Sequence, residues 1–259
     1  MKIATFNINS VRARIENLRT WLETEQPDVV LLQEIKCQDE QFPAMEIQAM
    51  GYNSAVHGQK SYNGVAILSK EPMFDIICGL PGNDNDEQAR YIEATISNKR
   101  ICGLYLPNGN PVSNEEKFAF KLKWMDRLGS HIKNTLLPMD MPLIIGGDFN
   151  VIPKDTDCLD PSQWVDDAAT MPQTRKRFNS FQNLGLTEIF TALNPKETHA
   201  YTFWDYQRGC WQKNDGIRID FFLTNGYATD MSTACWVDKK PRGEEKASDH
   251  TPLMLELDT

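Results

Sequence analysis

Asp148 and Asn150 stand where the apolar run Leu143-Ile144-Ile145 gives way through Gly146-Gly147 to polar residues. Two apart in an extended chain, they would share one face. The two glycines leave the backbone open to close approach by another group. The same event recurs. Apolar runs end at Asn7 and Asn9, at Gln33 and Glu34, and at Tyr105 and Asn108, while Asp249-His250 precede the last run. Asp220 sits inside Ile217-Arg218-Ile219-Asp220-Phe221-Phe222-Leu223. An acid in such company needs a partner or a metal. Each of the others has an ordinary structural explanation, such as a helix cap for Asn7, an ion pair with Lys36 for Glu34, or a core histidine for His250. Their recurrence at strand ends is what points to a shared crevice. Asp, Glu and Asn with one His and no Cys form a hard-oxygen environment, suited to Mg²⁺ or Mn²⁺ rather than structural zinc. Magnesium takes one or two carboxylates together with substrate phosphate, so one strong ligand such as Glu34 suffices. A His beside carboxylates can remove a proton from water or polarise a phosphate, and a metal can neutralise the leaving oxyanion. The chemistry indicated is hydrolysis of a phosphate ester. The sequence holds neither a GxxxxGK[ST] phosphate loop nor a GxSxG elbow, which disfavours the nucleotide and ester hydrolysis those motifs support.

The elements that must position these groups alternate along the chain. Short apolar strands are expected at residues 2–8, 28–34, 63–69, 91–97, 100–106 and 142–149, then at 201–205, 218–224, 232–237 and 251–257. Between the first two, Ile15, Leu18 and Leu22 recur at helical spacing behind Ser10, a candidate N-cap. A long helix starts near Asn114, with Glu115 and Glu116 in its first turn and Phe118, Leu122, Met125, Leu128, Ile132 and Leu136 along one face. A third covers about 173–184 and stops at Gly185. Many strands with few long helices predict a layered α/β or α+β sandwich, and no linker, repeat or low-complexity tract divides residues 1–259 into more than one domain.

Hydrophobic residues at 41% and charged residues at 24% fit an ordinary globular chain, with neither disorder nor a membrane span. Met1 leads straight into a strand-like run, and the six cysteines are spread without CxxC spacing. Both features make the cytoplasm the expected compartment and free thiols the expected state. A net charge of −9 argues against non-specific attraction to a polyanion, yet acids gathered at a metal can coexist with cations lining a groove. Nothing in the chain demands more than a monomer.

The segments TFNINS, LLQEIK, YLPNG, GGDFN, RIDFFL and SDH occur in the order and with the spacing of the motifs of the exonuclease III family of DNA-repair nucleases, which includes abasic-site (AP) endonucleases. The chain resembles that family from residue 3 to about residue 257. The resemblance implies a four-layer α/β sandwich, two mixed β-sheets flanked by helices. It implies a metal set of Glu34 and Asn7, with Asp148, Asn150 and Asp249 contributing, and Mg²⁺ (or Mn²⁺) as cofactor. Tyr105 and Asn108 would contact the scissile phosphate. Asp148 and Asn150 would handle the water and leaving group, and His250, paired with Asp220, would be the catalytic imidazole. Whether Asp148 or His250 takes the proton stays open at this stage. Phe203, Ile217 and Ile219 would wall a pocket for a base-less sugar, although Ile217 stands where some relatives carry an aromatic ring. Lys36, Tyr62, Arg90 and residues 207–213 would touch the DNA backbone. The expected partner is double-stranded DNA with abasic sites or 3′ ends, and the products would be a 3′-hydroxyl and a 5′-phosphate. Two alternatives remain: another phosphoesterase of the wider superfamily, acting on inositol phosphates, lipid headgroups or RNA, and an inert DNA-binding module. The second would have lost motif residues, and none is lost here.

Overall fold

Strands buried on both faces read as near-continuous apolar runs, and twelve strands form two sheets in the computed structural model, which describes residues 1–258. In chain order they are β1 Lys2–Asn7, β2 Val29–Gln33, β3 Asn53–His57, β4 Val65–Ser69, β5 Phe74–Cys78 and β6 Tyr91–Ile96. The remainder are β7 Lys99–Tyr105, β8 Leu143–Asp148, β9 Thr187–Glu188, β10 Asp220–Thr224, β11 Ser232–Val237 and β12 Leu253–Leu257. One sheet has the order β11-β12-β1-β2-β4-β3 and the other β5-β6-β7-β8-β10-β9. Each is mixed: β1 runs parallel to β2 and β7 parallel to β8, while the other pairings are antiparallel.

The layers follow from the period of two along each strand. Val29 and Leu31 of β2, Ile92 and Ala94 of β6 and Ile144 of β8 meet in one apolar layer between the sheets. Their neighbours Val30 and Leu32 point the other way, onto Leu18, Trp21 and Leu22 of α1 (Ile15–Glu25) and Ile47 of α2 (Ala44–Ala49). Leu143 and Ile145 likewise point away, onto Trp124, Met125 and Leu128 of α3 (Glu115–His131) and Phe178 and Phe181 of α4 (Pro172–Asn183). Helix, sheet, sheet, helix is the four-layer α/β sandwich that the motifs imply. The helix starts are local chemistry: the Asn114 side chain accepts from Lys117 N–H at 3.1 Å, and Gly185, at φ +102°, lets the chain leave α4. Three further short helices are α5 (Ile189–Leu193), α6 (Cys210–Lys213) and α7 (Gly226–Met231). Among the described residues no helix is long and apolar enough to cross a membrane.

Several expectations need correction. Residues 201–205 form no strand; Phe203 makes only single bridges, to Ile217 and His250, and its neighbours are in no regular element. Strands β3, β5 and β9 carried no clear apolar signal, since β3 is half-exposed, β5 is exposed along its length and β9 is two residues long. Ser10 does not cap α1, which starts only at Ile15 after a turn in which Asn9 and Ser10 have positive φ. The buried face of α3 includes Lys121 and Trp124, and the helix passes at Ile132 into one wider turn, Ile132–Leu136.

Candidate active site

Four parallel-running strand ends and two antiparallel starts meet at one edge of the sandwich. Asn7 ends β1, Glu34 follows β2, Tyr105 ends β7 and Asp148 ends β8, while Asp220 opens β10 and Asp249-His250 precede β12. In the ladder, Asp148 lies opposite both Tyr105 and Asp220. The glycines before Asp148 are required by neighbouring chains rather than by a ligand: a Cβ on Gly147 would meet the Leu104 carbonyl, and one on Gly146 the Phe222 ring. Asp148 and Asn150 reach one cavity, but not by pleat alternation. Asn150 has φ +48°, and its N–H donates to Asp148 Oδ1 at 2.9 Å, so a tight turn brings the two together.

The acids are joined by an amide. Asn7 Nδ2 donates to Glu34 Oε1 at 2.9 Å and to Asp148 Oδ2 at 3.0 Å. Glu34 Oε2 pairs with Lys36 Nζ at 2.8 Å, and Lys36 also donates to Asn9 Oδ1 at 2.6 Å. Asn9 in turn donates to Asp249 Oδ1 at 3.0 Å. Burial pushes the Glu34 carboxyl up, but Asn7 and Lys36 outweigh it and hold the pKa below its ordinary value. His250 lies between two carboxylates, with Nδ1 at 2.9 Å from Asp220 Oδ2 and Nε2 at 3.7 Å from Asp148 Oδ2. Burial alone would lower its pKa; Asp220 and then Asp148 override that and raise it. Asp148 moves upward, through burial first and then through Asp220 and Glu34, against the opposing pull of His250. Burial, with Glu34 and Asp148, keeps Tyr105 a phenol.

On the opposite wall, Asn108 Nδ2 donates to Asn150 Oδ1 at 3.2 Å, and Asn150 Nδ2 donates to the Leu106 carbonyl at 2.9 Å. Lys121, fully buried on α3, donates to the main-chain carbonyls of Asn108 at 3.1 Å and Asn150 at 2.6 Å. Glu34, Tyr105, Asn108, Asp148, Asn150, Asp249 and His250 line one cavity of about 170 Å³, whose other half is Trp164, Asp167, Ala169, Phe203, Ile217 and Ile219. Most of the residues expected from the sequence converge here; Asn7, Lys36 and Asp220 bond to cavity residues without lining the cavity, and Tyr62 and Arg90 lie outside it. Tyr62 is 71% exposed on the 59–64 loop and lines none of this cavity. Arg90 is turned inward: its guanidinium stacks 4.7 Å from the Tyr105 ring centre and donates to the Tyr105 carbonyl at 3.2 Å, while the side chain lines the adjoining groove with Asn108. Asn9 is marked in the sequence only as a strand-end residue, and Lys121, Trp164 and Asp167 are not marked at all. A surface lysine and the buried Lys121 look alike in a helix, and only Asn9, paired with Asn7 at a strand end, carried a readable signal.

The donor set fits a divalent cation. Glu34, Asp148 and His250 each present a ligand atom, all within 4.8 Å of one another. His250 Nδ1 is engaged by Asp220, which leaves Nε2 facing Asp148. Carboxylates then carry the site: Glu34, Asp148, Asp220 and Asp249 outnumber the cations in contact with them, Lys36 and His250. A hard, oxygen-seeking ion suits that excess.

The sequence matches the endonuclease/exonuclease/phosphatase family over residues 4–250. It is 32% identical to exodeoxyribonuclease III of Haemophilus influenzae, over 99% of this chain and all of that protein. It is 29% identical to DNA repair nuclease APEX1 of Danio rerio, over 99% of this chain and 82% of that one. An AP endonuclease structure from Archaeoglobus fulgidus superposes with a TM-score of 0.95 at 33% identity, over the whole of both chains. The 3′-5′ exonuclease NExo of Neisseria meningitidis does so with 0.96 at 35%, again over the whole of both.

Proposed function

The chain belongs to the endonuclease/exonuclease/phosphatase family, in its exonuclease III and AP endonuclease branch, and we propose that it is a metal-dependent DNA-repair nuclease acting as one catalytic domain. It hydrolyses phosphodiester bonds, incising duplex DNA 5′ to abasic sites and removing or cleaning nucleotides at 3′ ends. The observation that carries this reading is the two-sided cavity, in which His250 between Asp148 and Asp220 faces an apolar wall of Phe203, Ile217 and Ile219. One half suits a phosphate, the other a sugar without its base. At about 170 Å³ the cavity lies below the roughly 300–1,000 Å³ of sites that enclose a drug-sized ligand. The exonuclease and AP endonuclease names of its relatives support both activities.

The roles follow from protonation. With its pKa raised between Asp220 and Asp148, His250 is suited to donate to a phosphate oxygen and offset its charge. Asp148, with its raised pKa and its Oδ1 fixed by the Asn150 N–H, is the group placed to move a proton between water and the leaving oxygen. Tyr105 donates its phenolic hydrogen to the phosphate. Asn108 and Asn150, bonded to each other, hold the water and the phosphate in register. Mg²⁺, held by Glu34 with Asn7, Asp148 and Asp249 around it, would neutralise charge on the leaving oxygen when bound. Lys36 and residues 207–213 would meet the DNA backbone at the rim. Action as a monomer in the cytoplasm fits the six free cysteines.

The test is a gel assay on a 5′-labelled duplex holding one internal abasic analogue, run with Mg²⁺ and with EDTA. A single metal-dependent product is expected at the analogue, with a descending ladder from the 3′ end reporting exonuclease action. Intact DNA in the presence of Mg²⁺ would overturn the reading.

A further inference from the structure

We propose that Trp164 is a specificity-determining residue: its indole is the partition that keeps the active-site cavity too small for a nucleotide still carrying its base. The inference rests on the abasic-site reading above and names the residue that enforces it.

Two cavities share one wall. The active-site cavity of about 170 Å³ has Trp164, Phe203 and Ile217 on its apolar side, and the same three residues bound a neighbouring cavity of about 260 Å³. Joined, the two would enter the size range of sites that enclose a drug-sized ligand, roughly 300–1,000 Å³. Two parts of the wall are fixed. Phe203 and Ile217 exchange reciprocal backbone hydrogen bonds of 3.0 Å, and each makes a further bridge, Phe203 to His250 and Ile217 to Cys158. Trp164 is attached differently. It ends a one-turn segment, Pro161–Trp164, in a loop, and it is half-buried between an exposed Gln163 and a Val165 that is 65% exposed. Its carbonyl accepts from Asp167 N–H and from the Thr170 hydroxyl, which orients the loop while leaving the indole held by packing alone. That packing is against the small buried cluster of Ile152, Cys158, Ala169, Ile217 and Ile219. The indole reaching in from the 155–172 stretch is the largest side chain shared by the two cavities.

Substituting Trp164→Ala removes the largest side chain of the partition and leaves every group of the polar half in place. The measurement is the ratio of dissociation constants, in EDTA, for two otherwise identical labelled duplexes, one with a tetrahydrofuran abasic analogue and one with an ordinary deoxycytidine at that position. Backbone contacts are common to both and cancel in the ratio. Trp164→Ala is expected to reduce the preference for the abasic duplex by at least about tenfold, chiefly by tightening on the intact one, because the enlarged cavity admits a flipped base. Trp164→Phe should keep the ratio within about threefold of the unaltered chain, since a ring still fills the wall. Incision rates with Mg²⁺ should shift in the same sense. An unchanged ratio in a Trp164→Ala protein that melts like the parent overturns the proposal; should that variant not fold, an unchanged ratio in Trp164→Leu does so. If the unaltered chain itself shows no preference between the duplexes, the abasic reading fails first, and the partition has nothing to select.

Discussion

Asp148 and Asp220 stand directly opposite one another in the β8–β10 ladder, both buried, with the His250 ring reaching each of them. Like charges in facing positions destabilise a sheet, and burial aggravates this because no water screens them. The imidazolium answers that repulsion. It also explains why Asp220 can be buried with only one of its oxygens hydrogen-bonded. The stability of this part of the sheet thus depends on the imidazole that sits between the two acids.

Removing that ring should therefore act on two measurements. His250→Ala is expected to lower the single-turnover incision rate by about 10²–10⁴. It should also destabilise the fold by roughly 3–5 kcal/mol in urea unfolding, the usual cost of stranding a buried charge. Asp220→Asn, which removes one of the two facing acids, should lose rate with a smaller loss of stability. A stable His250→Ala protein turning over within tenfold of the parent would remove His250 from the phosphate site.

Glu34 should set metal affinity. Glu34→Gln keeps the shape and the contact with Asn7 but deletes the charge, so the half-saturating Mg²⁺ concentration should rise by at least about tenfold. Direct titration with Mn²⁺, followed by its paramagnetic signal without DNA, separates binding from turnover. An unchanged titration would place the metal elsewhere.

Much of this arrangement could be read before any coordinates, for a physical reason. Because β1, β2, β7, β8 and β10 are buried along nearly their whole length, their middles read as apolar, and the polar residues at the end shared by the site stand out. The structure brings those residues together at one edge of the sandwich. What stayed hidden lacked such contrast. Strand β5 is exposed throughout, with Asp75 at φ +50° breaking its register with β6, so no period of two survives. Residues 201–205 look like a strand because aromatic residues favour strands, yet Phe203 and Trp204 each serve a different neighbour at the rim. Trp164 lies in an acidic loop that nothing local marks as part of a wall.

Lys121 is the clearest case of a residue whose value depends on burial alone. Burial draws its pKa down to about 7, against the pull of Asp167 and Asp148. Its ammonium ties together the carbonyls of Asn108 and Asn150, whose side chains line the cavity. Lys121→Met should leave both carbonyls without that donor and cost about 1–3 kcal/mol of stability. It should reduce kcat by one to two orders of magnitude while leaving KM nearly unchanged, since small misplacements of positioning groups are expensive in the transition state. A pure KM effect would instead mean that Lys121 serves DNA binding.

Acid stability should report a second buried network, remote from the site. Glu93 is fully buried, with Arg100 at 2.8 Å, His131 at 3.2 Å and the Tyr91 hydroxyl at 2.6 Å. Burial by itself would raise its pKa; His131, Tyr91 and Arg100 reverse that and bring it to about 2. The folded pKa thus lies below the unfolded value of about 4.5. Below that value the unfolded chain binds a proton that the folded chain refuses, so unfolding becomes easier as pH falls. Glu93 should contribute its full stabilisation, on the order of 3 kcal/mol, above about pH 5, and lose it progressively down to about pH 2. Urea midpoints between pH 2 and 6 should fall steeply for the parent and less steeply for Glu93→Gln, which has no proton to gain. Parallel curves for the two proteins would show that Glu93 does not govern this transition.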